Sequence, residues 1–351
     1  MPKLMPGATD DEFLNHCYRH LLSREPDPGG KNHHLAALSA GMPRETLLQI
    51  FVQSDEFLDR FNAAQDLAKS QPEFAPAGHF YSPIPLPKDF SASYESLVMD
   101  DADREFVNED RQLELAEKFR AYYKQLPFPA EASEQRRYYL NNGSFNYFDG
   151  IILYCFIRYL RPQQIIEVGS GFSSALMVDT CEEFLSGNTK LTFIDPFPET
   201  LKRCLRPNDH RSCRILAMNL QEVPLDTFRT LTRNDILFID SSHVSKFGSD
   251  VNHLLFKVLP LLPSGVVIHF HDIFRNFDYP QAWLQEGRSW NEAYVVRAFL
   301  AGNADYKIRF FNDWFADRHW DFLQEYMPLC TIQPEGSPFK NCGVSLWIEK
   351  V

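Results

Sequence analysis

The segment from Ile165 to Ser174 constrains the fold more than any other part of this chain. It begins with two β-branched residues, has an acid near the end of a short strand, and continues with a Gly-x-Gly turn followed by two hydroxyl side chains. Glycines let a backbone turn sharply and approach a ligand closely. A helix predicted from Ser174 to about Phe184 would point free N–H groups at that ligand. The pattern predicts the nucleotide- or nucleoside-binding turn of a doubly wound α/β fold.

The rest of the chain after Asn142 alternates between strand and helix patterns. Strands are predicted at residues 164–168, 190–194, 214–217, 236–239, 266–270, 306–311 and 344–349. The clearest helix runs from Ser249 to Leu262 and carries one apolar stripe. Five βα units followed by two strands indicate a mostly parallel sheet with both faces covered. The predicted fold class is α/β: a doubly wound, seven-stranded, Rossmann-like sheet preceded by a small all-α domain.

The N-terminal region has the pattern of a compact helical unit. Thr9 and Glu12 form a capping box, and Asp27-Pro28 places a cap and a first-turn proline before a second helix. The pattern from Tyr18 to Gly30 resembles DUF4214, a small helical domain of unknown function. We predict this domain at residues 1–66, a proline-rich linker at 67–90 and the α/β domain at 91–351. The resemblance implies that the helical domain docks a protein or a glycan-assembly partner.

Composition excludes several classes of protein. The formal net charge of −12 argues against nucleic acid or an anionic membrane as a standing partner. The seven cysteines include no Cys-x-x-Cys pair, which favours reduced thiols over a disulfide framework or a zinc site. No apolar run is long enough to span a membrane. We therefore expect a cytoplasmic protein without membrane insertion, and the sequence leaves open whether it forms a homo-oligomer.

Two cofactors use such a turn. NAD favours a third glycine for tight helix packing, but Ser174 stands in that place. S-adenosylmethionine has no pyrophosphate, so it needs only the acid, the tight turn and a carboxylate for its ribose. Asp195 follows the second strand and supplies that carboxylate. The predicted cofactor-binding residues are Glu167, Gly169, Ser170, Gly171, Ser173, Ser174, Asp195, Asn219, Gln221 and Asp240.

A second cluster of chemistry-bearing residues follows strands four and five. Asp240, His271 and Asp272 end these strands, and the ends of neighbouring parallel strands lie side by side. Two carboxylates and an imidazole suit a divalent cation. His243, three residues beyond Asp240, is placed to take the proton of a hydroxyl polarised by that cation. Purely structural histidines and a turn-capping acid are the alternative.

The segment after strand five is unusually aromatic and predicts an acceptor wall. Aromatic faces interleaved with hydrogen-bonding side chains suit a sugar ring or another polyol, although about half of these aromatics are expected in the core. The predicted acceptor-binding residues are Tyr81 from the linker and Arg288, Trp290, Asn291 and Tyr294.

Residues 72–351 resemble class I S-adenosylmethionine-dependent methyltransferases of the group that includes macrocin-type and catechol O-methyltransferases. The resemblance rests on Glu167–Gly171, Asp195, Asp240–His243 and His271-Asp272. It implies that Asp240, His271 and Asp272 bind magnesium and that His243 is the base. However, His271 replaces a carboxylate usual at that position, and imidazole is a poor magnesium ligand. The sequence leaves open a softer ion, such as manganese or iron, or no metal.

We therefore expect an S-adenosylmethionine-dependent O-methyltransferase, assisted by a divalent cation (magnesium, manganese or iron), that acts on a hydroxyl of a sugar, a glycan or a small polyol. Three alternatives remain at this point. They are a metal-dependent hydroxylase, an NAD-type oxidoreductase on the same fold, and a non-catalytic module that holds S-adenosylmethionine or a glycan.

Overall fold

The computed structural model describes residues 9–22, 24–60, 74–86, 99, 103–209, 212–333 and 343–351. The chain divides into two compact units, Met1–Ser82 and Pro83–Val351. This division falls inside the segment predicted as a linker. Within the described ranges, no helix has both the length and the apolarity needed to cross a bilayer.

The first unit is helical. Its helices are Asp10–Leu21, Pro28–Ser39 and Arg44–Gln53, with a further helical segment at 55–60. The predicted caps are present, because Thr9 and Glu12 bond reciprocally and Asp27 accepts the Gly30 N–H at 2.8 Å. Apolar side chains from all three bounded helices form a separate core: Phe13, Leu14, Cys17, Tyr18, Leu22, Leu38, Leu47 and Phe51.

The second unit contains a seven-stranded sheet. Its strands are β1 (Gln164–Val168), β2 (Lys190–Ile194), β3 (Cys213–Leu216), β4 (Ile236–Ile239), β5 (Val267–Phe270), β6 (Tyr306–Phe311) and β7 (Leu346–Lys350). The order is β3-β2-β1-β4-β5-β7-β6. Strands β1 to β5 are parallel, and β7 runs antiparallel to β5 and β6. The predicted fold class is confirmed.

The sheet is apolar on both faces, as a parallel sheet covered by helices must be. Alternate residues of each strand enter two different cores, so that Ile165 packs with one and Ile166 with the other. The helix Tyr147–Leu160 is almost wholly buried, which explains its nearly continuous apolar sequence. The sheet is therefore a rigid platform whose carboxyl edge carries the loops.

The remaining helices of this unit surround the sheet. They are Arg104–Val107, Glu109–Tyr123, Phe172–Phe184, Glu199–Cys204, Asp226–Arg229, Asp250–His253, Gln281–Gln285, Glu292–Leu300, Asn312–Arg318 and Trp320–Tyr326. Short 3₁₀ turns occur at Leu220–Glu222 and Pro328–Thr331. The helix after β1 begins at Phe172, two residues earlier than predicted.

The prediction of one continuous helix from Ser249 to Leu262 is wrong. After Asp250–His253 the chain forms a π-helical turn, Leu254–Val258, and then a 3₁₀ turn, Leu259–Leu261. Pro260 explains the change, because proline has no N–H to donate and its ring clashes with the preceding turn of an α-helix. The apolar stripe is nevertheless buried along the whole segment.

Candidate functional site

The predicted site residues meet at the carboxyl edge of the sheet because the hydrogen-bond ladder continues one residue past four strands. Gly169, Asp195, Asp240 and His271 each donate their backbone N–H to the last residue of a neighbouring strand, at 2.9–3.1 Å. These four residues therefore lie at one level, along the edge where ligands of such sheets bind.

Gly169 sits where the strand order reverses, between β1 and β4. Its φ is +81°, and a Cβ placed on it would lie 1.7 Å from the carbonyl oxygen of Asp240. No side chain fits there, so glycine is required both for the turn and for the close approach of two strand ends. This contact fixes the distance between the Gly-x-Gly turn and the start of the second cluster.

A cavity of about 490 Å³ opens beside this contact, within the size range of small-molecule sites. Five predicted cofactor-binding residues line it: Gly169, Asp195, Asn219, Gln221 and Asp240. The other lining residues were not predicted, and they include Phe197, which is 77% exposed, and Lys246.

The Asp195 carboxylate is held in place at the cavity wall. It accepts the Ser170 N–H and hydroxyl, both at 2.9 Å, and the Phe197 N–H at 2.7 Å. On the same wall, the Gln221 side-chain amide donates to the Gly248 carbonyl at 2.7 Å. Asp195 thus links the loops after β1 and β2, and Gln221 links the loops after β3 and β4.

The structure places Glu167, Ser173 and Ser174 elsewhere than predicted. All three are buried, and both serine hydroxyls donate to the Glu167 carboxylate. Gly171 joins this group by donating its N–H to the Ser174 hydroxyl at 3.0 Å. Burial raises the pKa of Glu167 to about 8. These side chains support the turn from beneath, because Glu167 shares the sheet face of Phe193 and Phe238 rather than facing the cavity.

Asp240, His243, His271 and Asp272 lie close together in a second cluster. The near nitrogen of His243, Nε2, lies 3.4 Å from Asp240 Oδ1 and 3.5 Å from Asp272 Oδ2. His271 Nδ1 lies 3.5 Å and 3.6 Å from the same two oxygens. Asp240, His243 and Asp272 offer ligand-type atoms that are all within 4.8 Å of one another. Two imidazoles and two carboxylates therefore face a common point.

The charges of this cluster are strongly coupled. Burial would raise the pKa of Asp240, but His271 and His243 outweigh it and hold that pKa well below its usual range. Burial would likewise lower the pKa of His243, yet the carboxylates of Asp240 and Glu292 raise it to about 10. Both imidazoles are thus stabilised as cations by the surrounding carboxylates.

Two family models match separate parts of this chain. Residues 166–273 match the family model Methyltransf_24, a methyltransferase domain, and residues 3–61 match DUF4214. An uncharacterized protein of Archaeoglobus fulgidus is 32% identical over 168 residues, which are 46% of this chain and 75% of that protein. Residues 166–273 therefore form a methyltransferase domain.

Solved structures with a similar chain course include two methyltransferases with a bound cofactor. The O-methyltransferase TomG from Streptomyces achromogenes, in complex with S-adenosylmethionine, is 16% identical; the match covers 74% of this chain and 93% of that one, with a TM-score of 0.35. The methyltransferase PaMTH1 of Podospora anserina, with bound S-adenosylhomocysteine, is 13% identical over 72% and 97% of the two chains, with a TM-score of 0.33. No feature of the site follows from these likenesses.

Two residues of the methyltransferase's cluster adopt a backbone conformation that side chains rarely enter. His243 has φ +58° and Asp272 has φ +55°. A left-handed conformation costs roughly 1–2 kcal/mol for a residue other than glycine. The surrounding structure sustains this cost at both carboxyl-edge loops, as is common at functional sites.

The predicted acceptor wall is only partly assembled as expected. Trp290 covers His243, with ring centroids 4.4 Å apart, and the Arg288 guanidinium lies over Trp290 and Trp283, 5.3 and 4.6 Å from their ring centroids. Asn291 is instead a loop clamp: its side chain accepts the Ser245 N–H at 2.6 Å. An acceptor role for Asn291 stays a prediction, and in this structure its side chain bonds to the Ser245 backbone.

The other two predicted acceptor residues have different positions. The Tyr294 hydroxyl donates to Asp278, and 41% of the side chain is exposed. Tyr81 belongs to the first unit, where it is exposed and packs beside Phe80. The wall above His243 is therefore built from Trp290, Arg288 and Trp283.

Two carboxylates behind the histidines were missed by sequence reasoning. Glu292 Oε2 lies 2.9 Å from His243 Nδ1, and Asp149 Oδ2 lies 3.8 Å from His271 Nε2. Both acids are buried. An acid at position 149 inside the apolar helix Tyr147–Leu160 is the one sequence signal that pointed to a polar partner in the core.

Proposed function

We propose that this methyltransferase transfers a methyl group from S-adenosylmethionine to a hydroxyl of a sugar, a glycan or another small polyol. The observation that carries the proposal is the double position of Asp240. Asp240 lines the cavity together with Asp195, and its carboxylate also belongs to the cluster with His243, His271 and Asp272. A cofactor in the cavity would therefore border the groups that act on the acceptor.

The cofactor half of the proposal rests on the cavity. Asp195 presents a carboxylate suited to ribose hydroxyls, and the Gly-x-Gly turn brings backbone close to the ligand. The exposed ring of Phe197 offers an apolar surface in the same cavity. Placing the methyl donor and the acceptor side by side supplies much of the rate, because the sulfonium is already a good leaving group.

The chemical half rests on His243. An alcohol is a weak nucleophile, so a group that takes its proton as the methyl group arrives accelerates transfer. The carboxylates around His243 favour its charged form, so the imidazole needs positive charge nearby before it can act as a base. The cofactor's sulfonium supplies part of that charge.

The donor set also fits a divalent transition metal better than magnesium. Asp240, Asp272 and His271 would hold the ion, because mixed imidazole and carboxylate donors suit manganese, iron or zinc. Such an ion would supply Lewis-acid polarisation of the acceptor hydroxyl. His243 faces the same two carboxylate oxygens and would accept the proton of that hydroxyl.

The wall above His243 supports the proposed acceptor class. The Trp290 ring covers the imidazole, and Arg288 lies over Trp290 and Trp283. An aromatic face with a hydrogen-bonding guanidinium at its rim suits the apolar face and the hydroxyls of a sugar ring. For the first unit, we propose a docking role toward a protein or glycan-assembly partner.

The test is transfer of a labelled methyl group to a panel of sugar and polyol acceptors, with calorimetry against S-adenosylhomocysteine in parallel. His243→Ala is expected to abolish transfer and to leave the affinity for S-adenosylhomocysteine near that of the wild type. The matched control is His253→Ala, which removes a half-buried imidazole outside the cluster and should leave kcat unchanged.

A manganese titration separates the two roles open to His243. If it is the base, His243→Ala retains manganese affinity, whereas Asp272→Asn loses it. An equal loss in both variants would show that His243 is a ligand and that the base lies elsewhere. Wild-type protein that binds S-adenosylhomocysteine but methylates no hydroxyl would contradict the proposal.

A further inference from the structure

Glu292 is held against His243 by two separate contacts. Its carboxylate Oε2 lies 2.9 Å from His243 Nδ1, and its backbone N–H donates to the His243 carbonyl at 3.1 Å. It is also the first residue of the helix Glu292–Leu300, so the helix begins on His243 itself. The side chain and the backbone of one residue therefore fix the ring and the main chain of another.

The Glu292 carboxylate has no second hydrogen-bond partner among the residues that the structure describes. Its Oε1 is buried without a hydrogen-bond partner there, and the residue is 1% exposed. Burying a carboxylate is costly, and burial raises the pKa of Glu292. Among the described residues, the Glu292 side chain hydrogen-bonds to His243 alone. The free-energy cost of burying this carboxylate is therefore offset by its bond to His243 and not by bonds to core residues.

Asp149 differs in this respect. It accepts the Asn312 side-chain amide at 2.8 Å and the Val344 N–H at 2.9 Å, so it joins a helix to the segment before β7. Its distance of 3.8 Å to His271 Nε2 is too long for a hydrogen bond. Asp149 therefore has a structural role whether or not His271 takes part in the reaction. The Glu292 side chain makes no comparable bond to the rest of the described fold.

We propose that Glu292 is the positioning residue of the methyltransferase's reacting centre. By accepting the Nδ1 proton of His243, it directs Nε2 at Asp240 and Asp272, while Trp290 closes one face of the ring. The role in methyl transfer rests on the proposed function, whereas the hydrogen bond itself does not. Without this bond the imidazole can turn its acceptor nitrogen away from the substrate hydroxyl.

The closing experiment compares Glu292→Gln with the wild type in the full-length chain. Partners of this kind typically contribute 10–100-fold, so kcat is expected to fall by about that factor. The acceptor KM and the affinity for S-adenosylhomocysteine should not change, because Glu292 is not among the residues that line the cavity. Asp313→Asn is the matched control: it also neutralises a carboxylate of a residue that is 1% exposed, and this carboxylate accepts the Arg275 N–H.

A proton NMR spectrum supplies a measurement that needs no turnover. An imidazole N–H that donates to a buried carboxylate gives a low-field resonance, which His243→Ala should remove and Glu292→Gln should shift to higher field. Asp313→Asn should leave it in place. If the wild type shows no such resonance, the positioning bond is absent and the inference is overturned.

Activity decides the remainder. A wild type that transfers methyl groups, together with a Glu292→Gln variant of equal kcat, would overturn the positioning role even if the resonance is present. A wild type without any transfer would refute the proposed function instead, and the resonance would still decide whether Glu292 holds His243.

Discussion

Replacing Gly169 with alanine tests the contact on which the whole site depends. The residue has φ +81°, where an alanine costs about 1–2 kcal/mol. Its Cβ would lie 1.7 Å from the Asp240 carbonyl oxygen, whereas ordinary contact begins near 3.4 Å. The ends of β1 and β4 would have to separate by about 1.7 Å, and forcing atoms into a packed region costs roughly 1–3 kcal/mol. We expect a total loss of about 2–5 kcal/mol in the free energy of unfolding.

The assay is urea unfolding followed by tryptophan fluorescence. All five tryptophans lie in the second unit, so the signal reports on the sheet domain. Gly187→Ala is the matched control, because Gly187 has φ +64° and nothing lies within 4 Å of the position that an added Cβ would take. Gly187→Ala should lose only the free energy that alanine costs at a positive φ, about 1–2 kcal/mol. Equal midpoints for the two variants, with unchanged slopes, would refute the argument that the close approach of β1 and β4 excludes a side chain.

Three further perturbations follow from the bonds of the second unit. Asp195→Ala should weaken binding of S-adenosylhomocysteine by roughly ten- to hundredfold, measured by calorimetry, because it removes a charged hydrogen-bond acceptor from the cavity; unchanged affinity would place the ribose elsewhere. The pKa of Glu167 is raised by burial to about 8, so between pH 4.5 and 8 the folded state holds a proton that the unfolded state lacks, and stability falls as pH rises. Between about pH 5 and pH 8, the free energy of unfolding of Glu167→Gln should therefore rise by a few kcal/mol relative to that of the wild type. Urea midpoints that differ between the two proteins by the same amount at pH 5 and at pH 8 would contradict this. Arg137→Ala should cost about 3–5 kcal/mol in thermal unfolding, because it leaves the buried carboxylates of Asp179 and Asp209 without their cation; a loss below about 1 kcal/mol would show that water reaches both acids.

Much of the fold could be predicted from the sequence because its signals are local. Apolar runs of four to six residues marked the strands, and most predicted ends agree with the structure within two residues. The helix Phe172–Phe184 begins earlier than predicted. Gly171 has an extended backbone and is the residue before the helix, so the first helical turn starts directly after it. The segment after Ser249 was predicted as one helix because its apolar stripe is regular, and Pro260 changed the helix type without changing which side chains are buried.

The candidate site was harder to predict because its members come from distant parts of the chain. Asp240, His243, His271 and Asp272 were found because each follows a strand, and parallel strands end at one edge. Glu292 is 49 residues from His243, and no local pattern connects them. The two residues come into contact only in the folded chain, where Glu292 is the first residue of its helix.

Residue chemistry and the succession of strands along the chain follow from the sequence itself: a glycine turn after β1, an acid after β2, and an acid–imidazole pair after each of β4 and β5. Which way those side chains face depends on tertiary structure. Glu167 is an acid beside a glycine turn, which is typical of a cofactor contact. Because side chains alternate between the two faces of a strand, Glu167 points into the core, where the hydroxyls of two serines donate hydrogen bonds to its carboxylate. In the sequence, His243 looks like an ordinary loop histidine. In the structure, its contacts with Glu292 and Trp290 fix its ring toward Asp240. A side chain's direction is decided by its long-range neighbours, and the sequence alone does not specify them.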